Sequence, residues 1–142
     1  MGNFRRFITS SGREVLAGKD RETNEELIGQ VEKDNWILHT EEKGSPFAEI
    51  KNSPGILDAQ KSRISDIKEE EKNVNKKDIK EAAIFIAKFS QDWKKNKRDV
   101  IVHYFKGKDI FKSKGMPIGT FGVRKYKEIK LKKEEIKKLE ND

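Results

Sequence analysis

The chain of 142 residues contains no cysteine. It therefore has no disulfide, no thiol nucleophile and no thiolate ligand for a metal ion. Its two histidines, His39 and His103, lie far apart in strand-like apolar segments and show no His-x-x-x-His spacing. We therefore expect no metal site and no cofactor, and we interpret His39 as a structural histidine.

Apolar residues are also scarce, at 33% of the chain. No run approaches the ~18 to 20 apolar residues that a membrane helix needs, and the first residues lack the apolar core of a signal peptide. A Walker loop, a dinucleotide-binding glycine fingerprint and a Ser-His-Asp order are absent as well. We expect a cytoplasmic, non-catalytic domain with a small core and no membrane partner.

Charge, in contrast, is abundant. Charged residues make up 40% of the chain, and 32 Lys and Arg against 25 Asp and Glu give a net charge of +7. Such an excess favours polyanionic partners, because binding releases condensed counterions. Nucleic acid is the leading candidate, and the alternative is a soluble surface rich in Lys and Glu, as in thermophile proteins.

Alternation and helical periodicity predict an α+β fold: a mostly antiparallel sheet, one buried helix packed on it and a charged C-terminal helix. The predicted elements before the middle of the chain are a hairpin (Phe4–Thr9 and Glu14–Ala17), a helix (Asp20–Gln30) and two strands (Trp36–Thr40 and Phe47–Asn52). A mobile charged loop is predicted over 53–77, where apolar content falls.

The second half begins with the most apolar helix, predicted over Asp78–Trp93, where Ala82–Ala87 is apolar on every side. The predicted elements that follow are a linker (Lys94–Arg98), strands at Val100–Phe105, Asp109–Phe111, Thr120–Arg124 and Glu128–Leu131, and a charged helix from about Lys133. We therefore divide the chain into a single domain, 1–131, and a charged helical tail, 132–142.

Basic residues cluster near strand ends and glycine turns, where a rigid sheet can present ammonium groups to successive phosphates. The candidate nucleic-acid-binding residues are Lys19, Lys94, Lys95, Lys97, Arg98, Lys112, Lys114, Arg124 and Lys125. Tyr126 lies between Lys125 and Lys127 and is a candidate for stacking on an unpaired base. Trp93 falls on the buried stripe of its helix, and we expect it in the core.

The turn Gly18-Lys19-Asp20 precedes a helix, and amides at a helix N-terminus can bind phosphate. A carboxylate at Asp20 would cap those same amides and repel phosphate, so a turn with a cap is the favoured interpretation. Asn24, one helical turn further on, either braces this loop or faces a ligand, and the sequence does not separate the two.

Two other functions fit parts of the sequence. Asp34 with Glu49-Ile50-Lys51 matches the acidic-x-lysine pattern of Mg²⁺-dependent nucleases, in which carboxylates bind the metal and lysine stabilises the attacked phosphate. Such triplets also arise by chance on amphipathic strands. The charged tail Lys133–Asp142 is either a solvated helix or a protein-interaction segment.

The order of several short motifs resembles the NFACT-R domain, the RNA-binding module of the NFACT proteins of ribosome-associated quality control. The motifs are Gly18-Lys19-Asp20 with Asn24-Glu25, Trp36-Ile37-Leu38-His39, Gly44-Ser45, the helix Glu81–Trp93 with Ser90, Lys112 before Gly115 and Gly119, and Gly119-Thr120-Phe121. The residues that we assign to the family motif are Gly18, Asp20, Asn24, His39 and Ser90. The family often has Pro-Gly-Ser-His where this chain has Lys43-Gly44-Ser45-Pro46, which puts the role of a loop histidine in doubt.

The resemblance implies a non-catalytic module that binds rRNA or tRNA, with the large ribosomal subunit as a further partner. It also implies a stand-alone form, because the other domains of the larger NFACT proteins do not occur in this sequence. DNA binding is a variant of the same hypothesis. The oligomeric state does not follow from the sequence.

Overall fold

The computed structural model describes residues 4–42, 44–54 and 74–141. Its strands are β1 (Arg5–Ile8), β2 (Arg13–Ala17), β3 (Trp36–Thr40), β4 (Ala48–Pro54), β5 (Val100–Lys106), β6 (Ile110–Phe111), β7 (Gly122–Val123) and β8 (Lys127–Leu131). Six of them form an antiparallel sheet in the order β1-β2-β4-β3-β5-β8, and β6 pairs with β7 as a separate hairpin. The predicted α+β class is confirmed.

Helices in the described part of the chain begin where a side chain caps the first turn. They are α1 (Arg21–Gln30), α2 (Lys76–Ala87), α3 (Gln91–Asn96) and α4 (Lys133–Asn141). Asp20, Asn75 and Ser90 each accept a hydrogen bond from the backbone N–H three residues later, which satisfies an otherwise unpaired amide. None of these helices has the length and apolar character needed to cross a bilayer.

The sheet is the middle layer of the fold, because alternate residues of each strand point to opposite faces. One face carries the larger core, in which Val15, Leu38 and Val102 pack with residues of α2. The other face carries Ile37 and Phe105. It is covered by α1 and the β6–β7 hairpin through the cluster of Leu27, Ile37, Phe47, Phe105, Ile110, Phe121 and Val123.

The predicted continuous helix over Asp78–Trp93 is wrong, because the structure divides it into α2 and α3. The Ser90 hydroxyl donates to the Ala87 carbonyl at 2.7 Å and accepts from the Trp93 amide at 3.1 Å. This one side chain ends the first helix and caps the second. Lys94 consequently lies on a helix and not in a linker.

The limits of the predicted loop over 53–77 also change. Ser53 and Pro54 belong to β4, and α2 begins at Lys76. Residues 55–73 lie outside the described part of the chain. Trp93 is fully buried, as its place on the apolar stripe predicts.

The C-terminal helix α4 packs on the larger core. Ile136 is fully buried there, and an ion pair between Lys80 and Glu135 joins α4 to α2. The Lys133 amide donates to Asp99 at 2.9 Å, which fixes the start of the helix. The segment 132–142 therefore contributes a core side chain, although most of its described surface is charged.

Replacing Ile136 by alanine should lower the free energy of unfolding by about 2 to 4 kcal/mol, because it leaves a cavity in the larger core. Lys138→Ala alters an exposed position of the same helix. It should change the free energy of unfolding by less than about 0.5 kcal/mol. Urea unfolding followed by circular dichroism measures both. Equal stabilities of the two variants would show that α4 is not docked.

Candidate nucleic-acid interface

The turn at Gly18 is closed by the Asn24 side chain. Asn24 Oδ1 accepts from the Phe47 amide at 3.1 Å, and the Gly18 amide donates to the Phe47 carbonyl at 3.0 Å. A Cβ atom on Gly18 would lie 1.9 Å from Asn24 Oδ1, so only glycine fits there. Arg5 Nη1 donates to the Gly18 carbonyl at 2.7 Å. Asn24 is therefore a brace for this loop.

Asp20 uses the amides at the start of α1. Its carboxylate accepts from the Thr23 amide at 2.8 Å, and this bond is the largest cause of the lowered pKa of Asp20. The Thr23 hydroxyl in turn accepts from the backbone amides of Lys19 and Asp20, at 2.7 and 2.9 Å. With these donors engaged, the turn does not form a backbone cradle for phosphate.

A second loop, 115–121, is held against α1 by Glu25. Glu25 Oε1 accepts from the Gly119 amide at 2.8 Å and from Lys112 Nζ at 2.9 Å, and both contacts lower the pKa of Glu25. Lys112 Nζ also donates to the Thr120 carbonyl at 2.9 Å. Gly119 has φ +82°, and a Cβ there would meet Arg21 Cβ at 2.7 Å. The ammonium of Lys112 thus fixes a loop.

The third loop is the turn at Gly44, which contacts α3. Gly44 has φ +92°, which favours glycine, and its carbonyl accepts from the Gln91 amide at 2.9 Å. The Ser45 hydroxyl accepts from the Thr40 amide at 3.2 Å. The Ser90 cap that starts α3 therefore also positions the contact with the Gly44 turn.

The side chains of His39, Phe47 and Phe121 lie between the three loops. The His39 ring stacks on Phe47 with centroids 4.2 Å apart, and Phe47 meets Phe121 edge to face at 5.4 Å. Burial lowers the pKa of His39 to about 4. The imidazole is therefore neutral at physiological pH and serves as an aromatic surface, in agreement with its interpretation as a structural histidine.

These three loops enclose a cavity of about 600 Å³, which we call the first cavity. Asp20 is the single carboxylate among the described residues that line it, and the Asp20 carboxylate is the helix cap. The cationic lining residues are Arg5, Lys19, Arg21 and Lys94. The aromatic lining residues are His39, Phe47, Phe89, His103, Phe105 and Phe121. Such a site suits an anionic ligand.

The predicted basic residues do not all meet at this cavity. Lys19 and Lys94 line it, whereas Arg124 and Lys125 line a second cavity beside β8. Lys112 is engaged in the loop contact already described. Lys112 lines neither cavity, and the other candidates that line neither are Lys95, Lys97, Arg98 and Lys114.

Two of those remaining candidates are engaged with neighbouring side chains. Arg98 pairs with Asp92 at 2.9 Å, and Lys97 Nζ lies 4.8 Å from the Trp93 ring centroid. The sequence analysis missed Arg5 and Arg21. Arg5 is opposite Ala17 in the β1–β2 register, which places it beside the Gly18 turn, and only a register prediction would have found it.

The nuclease alternative finds no support in the position of Glu49. Its side chain is fully buried, accepts from Asn35 Nδ2 at 2.7 Å and pairs with Lys51 at 3.2 Å. A substrate phosphate or a hydrated Mg²⁺ ion does not reach a carboxylate in that position.

A different group has the donor atoms for a metal ion: Glu41, His103 and Glu128. Both carboxylates lie 3.4 Å from His103 Nε2. Because both glutamates are about half exposed, a simple network of polar contacts explains the same geometry. The group therefore does not by itself indicate a metal site.

Comparison with known proteins identifies the family. The profile described as NFACT protein RNA binding domain matches residues 3–125. The chain therefore belongs to the NFACT RNA-binding domain family. No curated protein sequence matches it.

The fold is similar to the C-terminal part of the fibronectin/fibrinogen-binding protein of Streptococcus suis, with a TM-score of 0.72 and 18% sequence identity. The match covers 97% of this chain and 49% of that one, so the chain spans about half the length of that structure. At this identity the likeness shows a shared fold.

Adding one methyl group at Gly18 should displace Asn24 and break its hydrogen bond to Phe47. We expect Gly18→Ala to lower the free energy of unfolding by about 1 to 3 kcal/mol. Amide hydrogen exchange at Phe47 should accelerate as well. Gly29→Ala is the matched control, because its Cβ meets nothing within 4 Å and alanine favours the helix by about 0.5 to 1 kcal/mol. Unchanged exchange at Phe47 in Gly18→Ala would show that the brace is dispensable.

Acidification should destabilise the fold through His39. The unfolded chain binds a proton with a pKa near 6.5, whereas the folded pKa is about 4, so the free energy of unfolding falls as pH drops from 6.5 to 4. The full effect is about 3 kcal/mol. Urea unfolding at several pH values should show a shallower dependence for His39→Gln than for the wild type. Parallel curves would contradict the burial of a neutral imidazole.

Proposed function

We propose that this domain binds the sugar–phosphate backbone of a folded RNA, tRNA or rRNA, at the cationic rim of the first cavity. The observation that carries the proposal is the excess of positive side chains there: Arg5, Lys19, Arg21 and Lys94 surround a single carboxylate that is committed to a helix cap. Membership of an RNA-binding family supports the choice of RNA among polyanions.

The cations at this rim differ in how firmly they are held. The guanidinium of Arg5 is fixed by the Gly18 carbonyl and lies 4.2 Å from the Phe89 ring centroid. Lys19 and Lys94 are exposed and make no ion pair with a described residue. Arg21 pairs with Glu22 at 3.0 Å, but both side chains are largely exposed, so this pair competes weakly with phosphate. A guanidinium in a fixed position beside two exposed ammonium groups on flexible side chains can follow an irregular backbone.

Affinity at such a rim comes from phosphates and carries little base readout. This property suits a module that recognises the shape of a folded RNA. We therefore propose a non-catalytic role on tRNA or on the rRNA of the large ribosomal subunit, in cytoplasmic ribosome-associated quality control or another process linked to translation.

Removing a cation that contacts phosphate should flatten the dependence of log affinity on log salt by roughly 0.7 to 0.9. We expect this change for Lys19→Ala and for Lys94→Ala, and about twice the change for the double variant. Lys138→Ala removes the same charge from α4, which packs on the opposite face of the sheet from α1. Its slope should equal that of the wild type. Fluorescence anisotropy with deacylated tRNA between about 50 and 200 mM salt measures the wild type and all four variants.

The same titration separates the alternatives. Equal slopes for the Lys94→Ala and Lys138→Ala proteins would place the RNA elsewhere. Tighter binding of duplex DNA than of tRNA at physiological salt would favour the DNA-binding variant. If neither nucleic acid binds, the proposed function is wrong, and a protein partner of α4 becomes the remaining hypothesis.

A further inference from the structure

A second cavity, of about 680 Å³, opens beside the ends of β5 and β8. Asp109 is the single carboxylate among its described lining residues. The cationic lining residues are Lys106, Lys108, Arg124, Lys125 and Lys127, and the aromatic ones are Trp36, Tyr104, Phe105 and Tyr126. The first cavity adjoins it, since Phe105 lines both.

Tyr126 is the exposed ring of this cavity, with 51% of its surface accessible. One face of the ring stacks on His103 with centroids 4.1 Å apart and planes 20° from parallel. His103 Nε2 in turn lies 3.4 Å from a carboxylate oxygen of Glu41 and 3.4 Å from one of Glu128. Tyr126 makes no second ring contact with the described residues. It therefore presents its other face from a supported position.

The indole ring of Trp36 is already covered by other side chains. Lys106 Nζ lies 4.4 Å from the Trp36 ring centroid and donates to the Asp34 carbonyl at 3.0 Å. Trp36 also packs at a tilt against Tyr104, with centroids 5.5 Å apart. These contacts make Trp36 a wall of the cavity and leave Tyr126 as the place where a flat group can stack.

Positive charge lines the same cavity as that ring. Lys125 and Lys127 are its neighbours in sequence, are exposed and make no ion pair with a described residue. Arg124 is held in place: Nη1 donates to the Lys108 carbonyl at 3.3 Å, and the guanidinium lies 4.9 Å from the Phe111 ring centroid. A free aromatic face that shares a cavity with unpaired ammonium groups suits a flat base together with its neighbouring phosphates.

We propose that the second cavity takes an unpaired nucleotide of the bound RNA, with its base on Tyr126 and its flanking phosphates on Lys125 and Lys127. The proposal rests on the proposed function and extends it from backbone contact to recognition of unpaired RNA. A duplex cannot satisfy this site, because both faces of each base are already covered by neighbouring base pairs.

The test compares single-stranded and duplex RNA. Loss of one stacked base weakens binding by about 5- to 150-fold. Tyr126→Ala should therefore weaken binding of a six-nucleotide uridine RNA by a factor in this range. Tyr126→Phe keeps the ring and should stay within about twofold of the wild type. A twelve-base-pair RNA duplex should bind the wild type and both variants equally.

A second measurement uses the unaltered protein, so it does not depend on the folding of a variant. The ring protons of Tyr126 should shift upfield in NMR spectra when the uridine hexamer is added, because a stacked base shields them. Absence of this shift, or equal binding of the hexamer by the wild type and a folded Tyr126→Ala protein, would overturn the inference.

The outcomes separate the two proposals. Suppose that Lys94→Ala flattens the salt dependence of tRNA binding as expected, but that Tyr126→Ala does not weaken binding of the hexamer. In that case only the inference about the second cavity is wrong. If tRNA does not bind and the hexamer shifts Tyr126, the proposed function at the first cavity is wrong and the nucleotide site stands.

Discussion

The first cavity depends on the closure of the Gly18 turn by the Asn24 amide. The closure joins α1 to the residue before β4, because the Asn24 side-chain oxygen accepts from the Phe47 amide. The Phe47 ring in turn packs against His39 and Phe121. The second loop then attaches to α1 through Glu25, and the Gly44 turn attaches to α3. A displaced Asn24 would therefore loosen the brace on which the loop-to-helix contacts rely.

The positive charge at this rim comes from side chains, because the backbone amides at the start of α1 are already engaged. A helix N-terminus carries partial positive charge, and here Asp20 and Thr23 accept from the amides that would otherwise face a ligand. Any attraction for phosphate must then come from side chains: Arg5, which the Gly18 carbonyl holds, and the exposed Lys19 and Lys94. In general, a surface of exposed cations binds polyanions with little dependence on sequence and a strong dependence on salt.

Much of the fold could be predicted because local patterns agree with tertiary packing. Asp20 marks the start of α1, and the apolar run Ala82–Ala87 marks the most buried helix. The break at Ser90 was missed because a serine on an apolar stripe fits a continuous helix equally well, and only its bonds to Ala87 and Trp93 distinguish a cap. Clustering in sequence found Lys19 and Lys94 but not Arg5, since strand register brings that side chain to the cavity.

The same limitation explains why the basic candidates separate into two cavities. Lys94 and Lys125 are both charged and exposed, but one lies on the short helix after Ser90 and the other precedes the edge strand β8. Charge alone cannot assign different roles to them. The aromatic residues that line each cavity distinguish the two lysines. In the cavity of Lys94 the rings of Phe47 and Phe121 pack on each other, whereas Tyr126, next to Lys125, keeps a free face. Where the rings contact each other, the protein can offer a ligand mainly charge. A ring with a free face can also stack on a base. Stacking requires an RNA base that is not covered by neighbouring base pairs.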